Sequence, residues 1–120
     1  MTSESRSRTG LTQSELIAII PNELPIDAVG LWQIIAMGRL EFPLEGENLT
    51  DFVRGSIIAL VEAGASPVRF SEGPPNKYWE PQHCLGKDPA TIAENVIARW
   101  REDEQEAEWR GLWFALPALW

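Results

Sequence analysis

A chain of 120 residues with 44% hydrophobic content makes one domain, long enough to bury about two thirds of its unfolded surface. Eighteen acids against ten bases leave a net charge of −8. That excludes general nucleic-acid binding and attraction to anionic membranes, which need a basic face. One cysteine, Cys84, excludes an internal disulfide, so nothing asks for an oxidising compartment.

Residues 1–10 are Ser, Thr, Arg and Gly-rich and are expected to form a disordered leader to a single domain over residues 11–120. No apolar stretch of signal-peptide length follows Arg6 and Arg8, so a cytoplasmic protein is expected. Thr12 and Glu15 stand at capping-box spacing and start a short helix whose apolar edge is Leu16, Ile19 and Ile20. Pro21 stops it. Pro25 is then expected to open a central helix over Ile26 to Leu40, apolar nearly all round, with Trp32 on a core stripe.

The loop Glu41 to Glu47 carries three carboxylates but lacks the ligand alternation of a calcium loop. It reads as a solvated turn with Phe42 and Leu44 tucked inward. Asn48 is placed to cap the next helix. Its stripe is Leu49, Phe52, Val53, Ile57, Leu60 and Val61 at helical period, and Gly64 suits a left-handed C-cap. Gly55 inside it predicts close approach of another helix, at Gly30 or Gly38. Val68 and Phe70 alternate with polar neighbours, Glu72 to Asn76 turns, and Lys77 to Glu80 returns as the second strand of a hairpin.

Asp88-Pro89 opens a last helix, with Ile92, Ala93, Val96, Ile97 and Trp100 as its docking stripe. Glu102, Asp103, Glu104, Glu106 and Glu108 follow, and the helix is expected to run on through them, polar on most sides. The segment Gly111 to Trp120 is apolar apart from its glycine, and a proline interrupts it. It is too short to span a bilayer, so it folds back over the core or binds something. The expected class is α+β and predominantly helical, with about four helices and one β-hairpin.

His83-Cys84 is the one pairing that looks like chemistry. Adjacent residues of an extended segment point to opposite sides and make a poor dyad, and no second histidine exists for a metal site. No phosphate loop follows a strand. Neither a catalytic residue nor a cofactor or metal site is expected. Six tryptophans are a high load. Trp109 and Trp113 stand beside the acidic run, and apolar anchors next to charge are how many protein-binding surfaces are built. Within the acidic run Glu102/Glu106 and Glu104/Glu108 would repel as i,i+4 helix pairs, a cost that a cationic partner would offset. Glu102, Asp103, Glu104, Glu106, Glu108, Trp109 and Trp113 are therefore the candidate partner-binding residues.

The order helix, helix, Pro/Gly-tipped hairpin resembles a winged-helix module, but Arg54 faces Asp51 and Glu62, and Arg69 and Lys77 face Glu72 and Glu80. Direct DNA contact is not expected of so acidic a version. In size, acidity and lack of a catalytic set the chain resembles the small acidic immunity proteins that bacteria make against polymorphic or contact-delivered toxins. That resemblance implies a non-enzymatic inhibitor that captures a basic, nucleic-acid-acting toxin domain, with fast encounter through electrostatic steering. The rival expectations are a winged-helix-like regulator or adaptor and an assembly subunit that dimerises through the C-terminal segment.

Overall fold

The computed structural model describes residues 10–70, 79–104, 108 and 111–119. Helix α1 (Gln13–Ile19) starts on the expected capping box: Glu15 N–H donates to Thr12 Oγ1 at 3.1 Å, and Thr12 N–H donates to the Glu15 carboxylate at 2.9 Å. A 3-10 turn over Ile20–Glu23, with Pro21 in its first turn, ends the element.

The central helix starts later than the sequence predicts. Pro25 and Ile26 lie in an exposed turn, and Val29–Gly30 form a short strand, β1. Helix α2 is Leu31–Glu41, with the Gln33 side chain accepting the Gly30 N–H at 2.9 Å. Strand pairing is the reason: Val29 and Gly30 sit opposite Phe114 and Trp113 of a distant segment, and extended backbone there cannot be helical. Nor is α2 apolar all round, since Leu31, Ile34, Ile35 and Gly38 are buried while Trp32, Arg39 and Leu40 face solvent.

Helix α3 (Gly46–Glu62) begins at Gly46, so Asn48 lies in its first turn and does not cap it. Its stripe behaves as expected: Leu49, Phe52, Val53, Ile57 and Leu60 are buried, and Val61 packs against them. Phe42 is buried beside Phe52, with ring centroids 6.0 Å apart, so the acidic loop does turn its apolar residues inward. At the far end Ala65 N–H reaches the Leu60 carbonyl at 3.1 Å and Gly64 N–H the Val61 carbonyl at 3.0 Å. Gly64, at φ +104°, closes this Schellman pair of bonds in a conformation that favours glycine. The helix that approaches Gly55 is α1, through Ile17, whereas Gly38 faces Leu49 and Phe52 of α3.

The hairpin is present. Strand β2 (Ser66–Phe70) pairs antiparallel with β3 (Trp79–Pro81), with Phe70 opposite Trp79 and Pro81 still within the pairing. Glu72, Lys77 and Tyr78 lie outside the described residues. Helix α4 (Pro89–Glu102) is capped by Asp88, whose carboxylate accepts the Thr91 N–H at 2.9 Å, and it buries Ile92, Ala93, Val96 and Ile97. Arg54 of α3 ties the two helices together, donating to Glu94 at 2.6 and 3.3 Å and to Asp51 at 2.6 Å.

The apolar C-terminal segment becomes β4 (Leu112–Ala115), and the sheet order is β1-β4-β2-β3. It does more than fold back, because it is the strand between β1 and β2. The class is α+β with the helices dominant, as expected. The winged-helix order of helix, helix and hairpin is kept, but β4 inserted beside the hairpin is an addition to that layout. No helix among the described residues is long and apolar enough to cross a membrane.

Candidate functional site

Helix α4 ends at Glu102, and Asp103 is extended at φ −145°, ψ 104°. The expected continuation through the acidic run is therefore corrected. Two physical causes act together. The docking stripe ends at Trp100, so nothing apolar anchors a further turn. Acidic side chains also gather at the helix C-terminus, where the macrodipole is already negative. The α4 helix that the repulsion argument needs ends at Glu102, so that argument for a cationic partner loses its premise. Glu102, Asp103, Glu104 and Glu108 are exposed, while Glu106 and Trp109 lie outside the described residues.

Glu104 and Glu108 line an open groove of about 640 Å³ between the start of α3 and the end of α4. Glu47, in the first turn of α3, joins them there, a meeting that no local sequence pattern encodes. Arg39 and Arg101 line the same groove, with Trp100 as an apolar wall. Arg101 donates to Thr50 Oγ1 at 3.4 Å, which draws its charge inward. Among the described residues, three carboxylates facing two guanidiniums make a nearly balanced surface rather than a strong negative field.

Trp113 belongs elsewhere. Along β4, Leu112 and Phe114 enter the main core and Trp113 and Ala115 take the opposite face, as period-two alternation requires. On that outer face Val68, Ala115 and Ala28 make a small buried cluster with Trp79, Trp113 and Leu119 packed on it. Four rings then run in contact across the sheet. Trp32 meets Trp113 edge-on at 6.4 Å, Trp113 meets Trp79 at 5.2 Å, and Trp79 meets Phe70 edge-on at 5.9 Å. Trp32 is 38% and Phe70 44% exposed, so both ends of the row reach solvent.

Gly30 makes the row possible. A Cβ there would stand 2.8 Å from Trp32 Cδ1 and Nε1 and 3.2 Å from Trp113 Cε3, so only a glycine lets Trp32 lie over the strand. Sequence reading missed Trp32 as a surface residue by giving it a core stripe on a longer helix. The signal for Phe70 and Trp79 was present in their equivalent places on the two hairpin strands.

His83 and Cys84 lie in a 3-10 turn, His83–Leu85, where an extended segment was expected, and both are exposed. Arg99 Nη2 points at Cys84 Sγ from 3.6 Å, and Asn95 of α4 holds the turn by donating to the Leu85 carbonyl at 2.7 Å. No group of His, Cys, Asp and Glu among the described residues has the arrangement to hold a metal ion. Comparison of the chain with protein-family models, curated proteins and solved structures gives no match.

Proposed function

We propose that this protein is a non-enzymatic binding protein of the immunity type, which acts in the cytoplasm by capturing a basic protein domain such as a nucleic-acid-acting toxin. The aromatic row of Trp32, Trp113, Trp79 and Phe70 carries the reading. Rings already in mutual contact lose little conformational freedom on binding, and Trp is the residue type most enriched among interface hot spots. An indole face also attracts Arg and Lys. The surplus of eight negative charges adds long-range attraction for a cationic surface. The row supplies the contact and the net charge supplies the encounter.

Binding kinetics against a panel of basic nuclease-type toxin domains test this. Trp79→Ala and Phe70→Ala should raise the dissociation rate of a cognate domain at least tenfold with unchanged association. Rates that match wild type in both folded variants would move the interface off this face. The rival reading as a winged-helix-like regulator or adaptor has less behind it. The one base on α3, Arg54, is engaged by Asp51 and Glu94, and its pKa is raised by the Glu94 hydrogen bond above all.

A further inference from the structure

A second surface shares none of the four ring residues of the aromatic row. Helix α1, the turn after it and the first part of α2 enclose a groove of about 460 Å³. Its walls include Leu16, Ile19, Val29 and Met37, and Glu23 and Asp27 stand among its lining residues. Asp27 is fixed there because its carboxylate accepts the Ala28 N–H at 2.7 Å. Among the described residues no Lys, Arg or His lines this groove, which makes it the opposite of the charge-balanced groove beside α4.

The apolar wall has the shape of a helix edge: Leu16 and Ile19 stand one turn apart on α1, Met37 of α2 lies among the same lining residues, and Ile19 is still 45% exposed. An elongated occupant with an apolar stripe covers such an edge along its length. Two carboxylates with no cation among the described lining residues select positive charge along the flank of that occupant.

We propose that this groove receives an amphipathic helix from a partner protein, with its apolar stripe against Ile19, Leu16 and Met37 and its Lys or Arg residues over Glu23 and Asp27. This is the helix-in-groove mode of recognition, in which anchors at i, i+3, i+4 and i+7 give affinity and flanking charge gives selectivity. None of the four rings of the aromatic row lines this groove.

The test uses the full chain and a synthetic helical peptide of about 16 residues, roughly four turns. The peptide carries a Leu stripe flanked by Lys, and a control carries the same stripe flanked by Glu. The readout is methyl NMR at Leu16, Ile19, Ile20 and Met37. The Lys peptide should give saturable shifts at these methyls and bind at least tenfold more tightly than the Glu peptide. Combining Glu23→Lys with Asp27→Asn, which keeps the oxygen that accepts the Ala28 N–H, should remove or invert that preference.

Ile19→Asp separates groove binding from plain attraction between a cation and an acidic protein. It adds negative charge at an exposed site, so non-specific attraction would strengthen, whereas groove binding should weaken at least tenfold. Trp79→Ala should leave the affinity unchanged. Equal affinity for the two peptides, stronger binding by the Ile19→Asp variant, or shifts confined to the aromatic face would each overturn the proposal. So would concentration-dependent shifts of these methyls without peptide, which would make a second copy of the chain the occupant.

Discussion

Replacing Gly38 and Gly55 separately by Ala should move stability in opposite directions, although both lie inside helices. Ala favours a helix interior over Gly by about 1 kcal/mol, and that gain applies at both sites. At Gly38 the new methyl would stand 2.7 Å from Leu49 Cδ1 and 3.0 Å from Phe52 Cδ2. Neither neighbour can yield, because both are buried and the Phe52 ring is braced by Phe42. Overpacking of this kind costs about 1–3 kcal/mol, so Gly38→Ala should lose up to about 2 kcal/mol net. At Gly55 the one close neighbour is Ile17 Cδ1 at 3.2 Å, the end of a flexible and only half-buried side chain. A small displacement there leaves Gly55→Ala more stable than wild type, by about 0.5–1 kcal/mol. Urea denaturation with a common m-value reads the two midpoints. A Gly38→Ala variant at least as stable as wild type, or a Gly55→Ala variant below it, would refute the close α2–α3 seam and the looser α1–α3 contact.

Leu60→Ala and Ile57→Ala should each lose about 2–5 kcal/mol in the same assay, since both side chains are fully buried in the main core; losses under about half a kcal/mol at both sites would remove the stripe assignment. Gly30→Ala should displace Trp32 from Trp113, seen as a changed near-ultraviolet circular dichroism signal and a more solvent-exposed tryptophan emission, and an unchanged spectrum would count against the row. Hydrogen bonding by Thr91 holds the Asp88 carboxyl below its ordinary pKa, and the Arg54 hydrogen bond does the same for Glu94. A depressed folded pKa contributes stability that is fully present above the ordinary carboxylate value and is lost as pH falls through the folded value. The stability gap between wild type and Asp88→Ala should therefore be full near about pH 6 and shrink towards about pH 2, whereas a gap that widened in acid would reverse the sign.

What was legible in the sequence is what short stretches encode. The Thr12–Glu15 box, the α3 stripe with its Gly64 stop and the Asp88-Pro89 start are each written within one or two turns, and the structure keeps all three. Long-range pairing decided what was misread. Val29 and Gly30 fit a helical pattern until Trp113 and Phe114 pair with them. Leu112–Ala115 is too short an apolar run for its period to say strand or helix. The acidic run was expected to continue α4, but a polar stretch does not hold a helix end that has no core to lean on, and α4 stops at Glu102. Of the residues expected to bind a partner, Glu104 and Glu108 share a groove and Trp113 faces a different surface. The groove needs α3 and α4 side by side, and the row needs three strands and a helix start.

The apolar C-terminal segment seemed to demand a choice between capping the core and binding a partner. A β-strand removes the choice, because its alternate residues serve opposite faces. Leu112 and Phe114 are buried with the residues of all four helices, while Trp113 stands on the outer side as the middle of the aromatic row. Pairing with both β1 and β2 then fixes the backbone under that ring from two sides. The same register brings Trp32 and Trp79 against Trp113, so the packing that secures the strand also sets the row in place before any partner arrives. Such preorganisation lowers the entropic cost of binding at the outer face. It also implies that a variant which weakens the β4 pairing would lose stability and partner affinity together, whereas truncating Phe70, at the exposed end of the row, would separate the two.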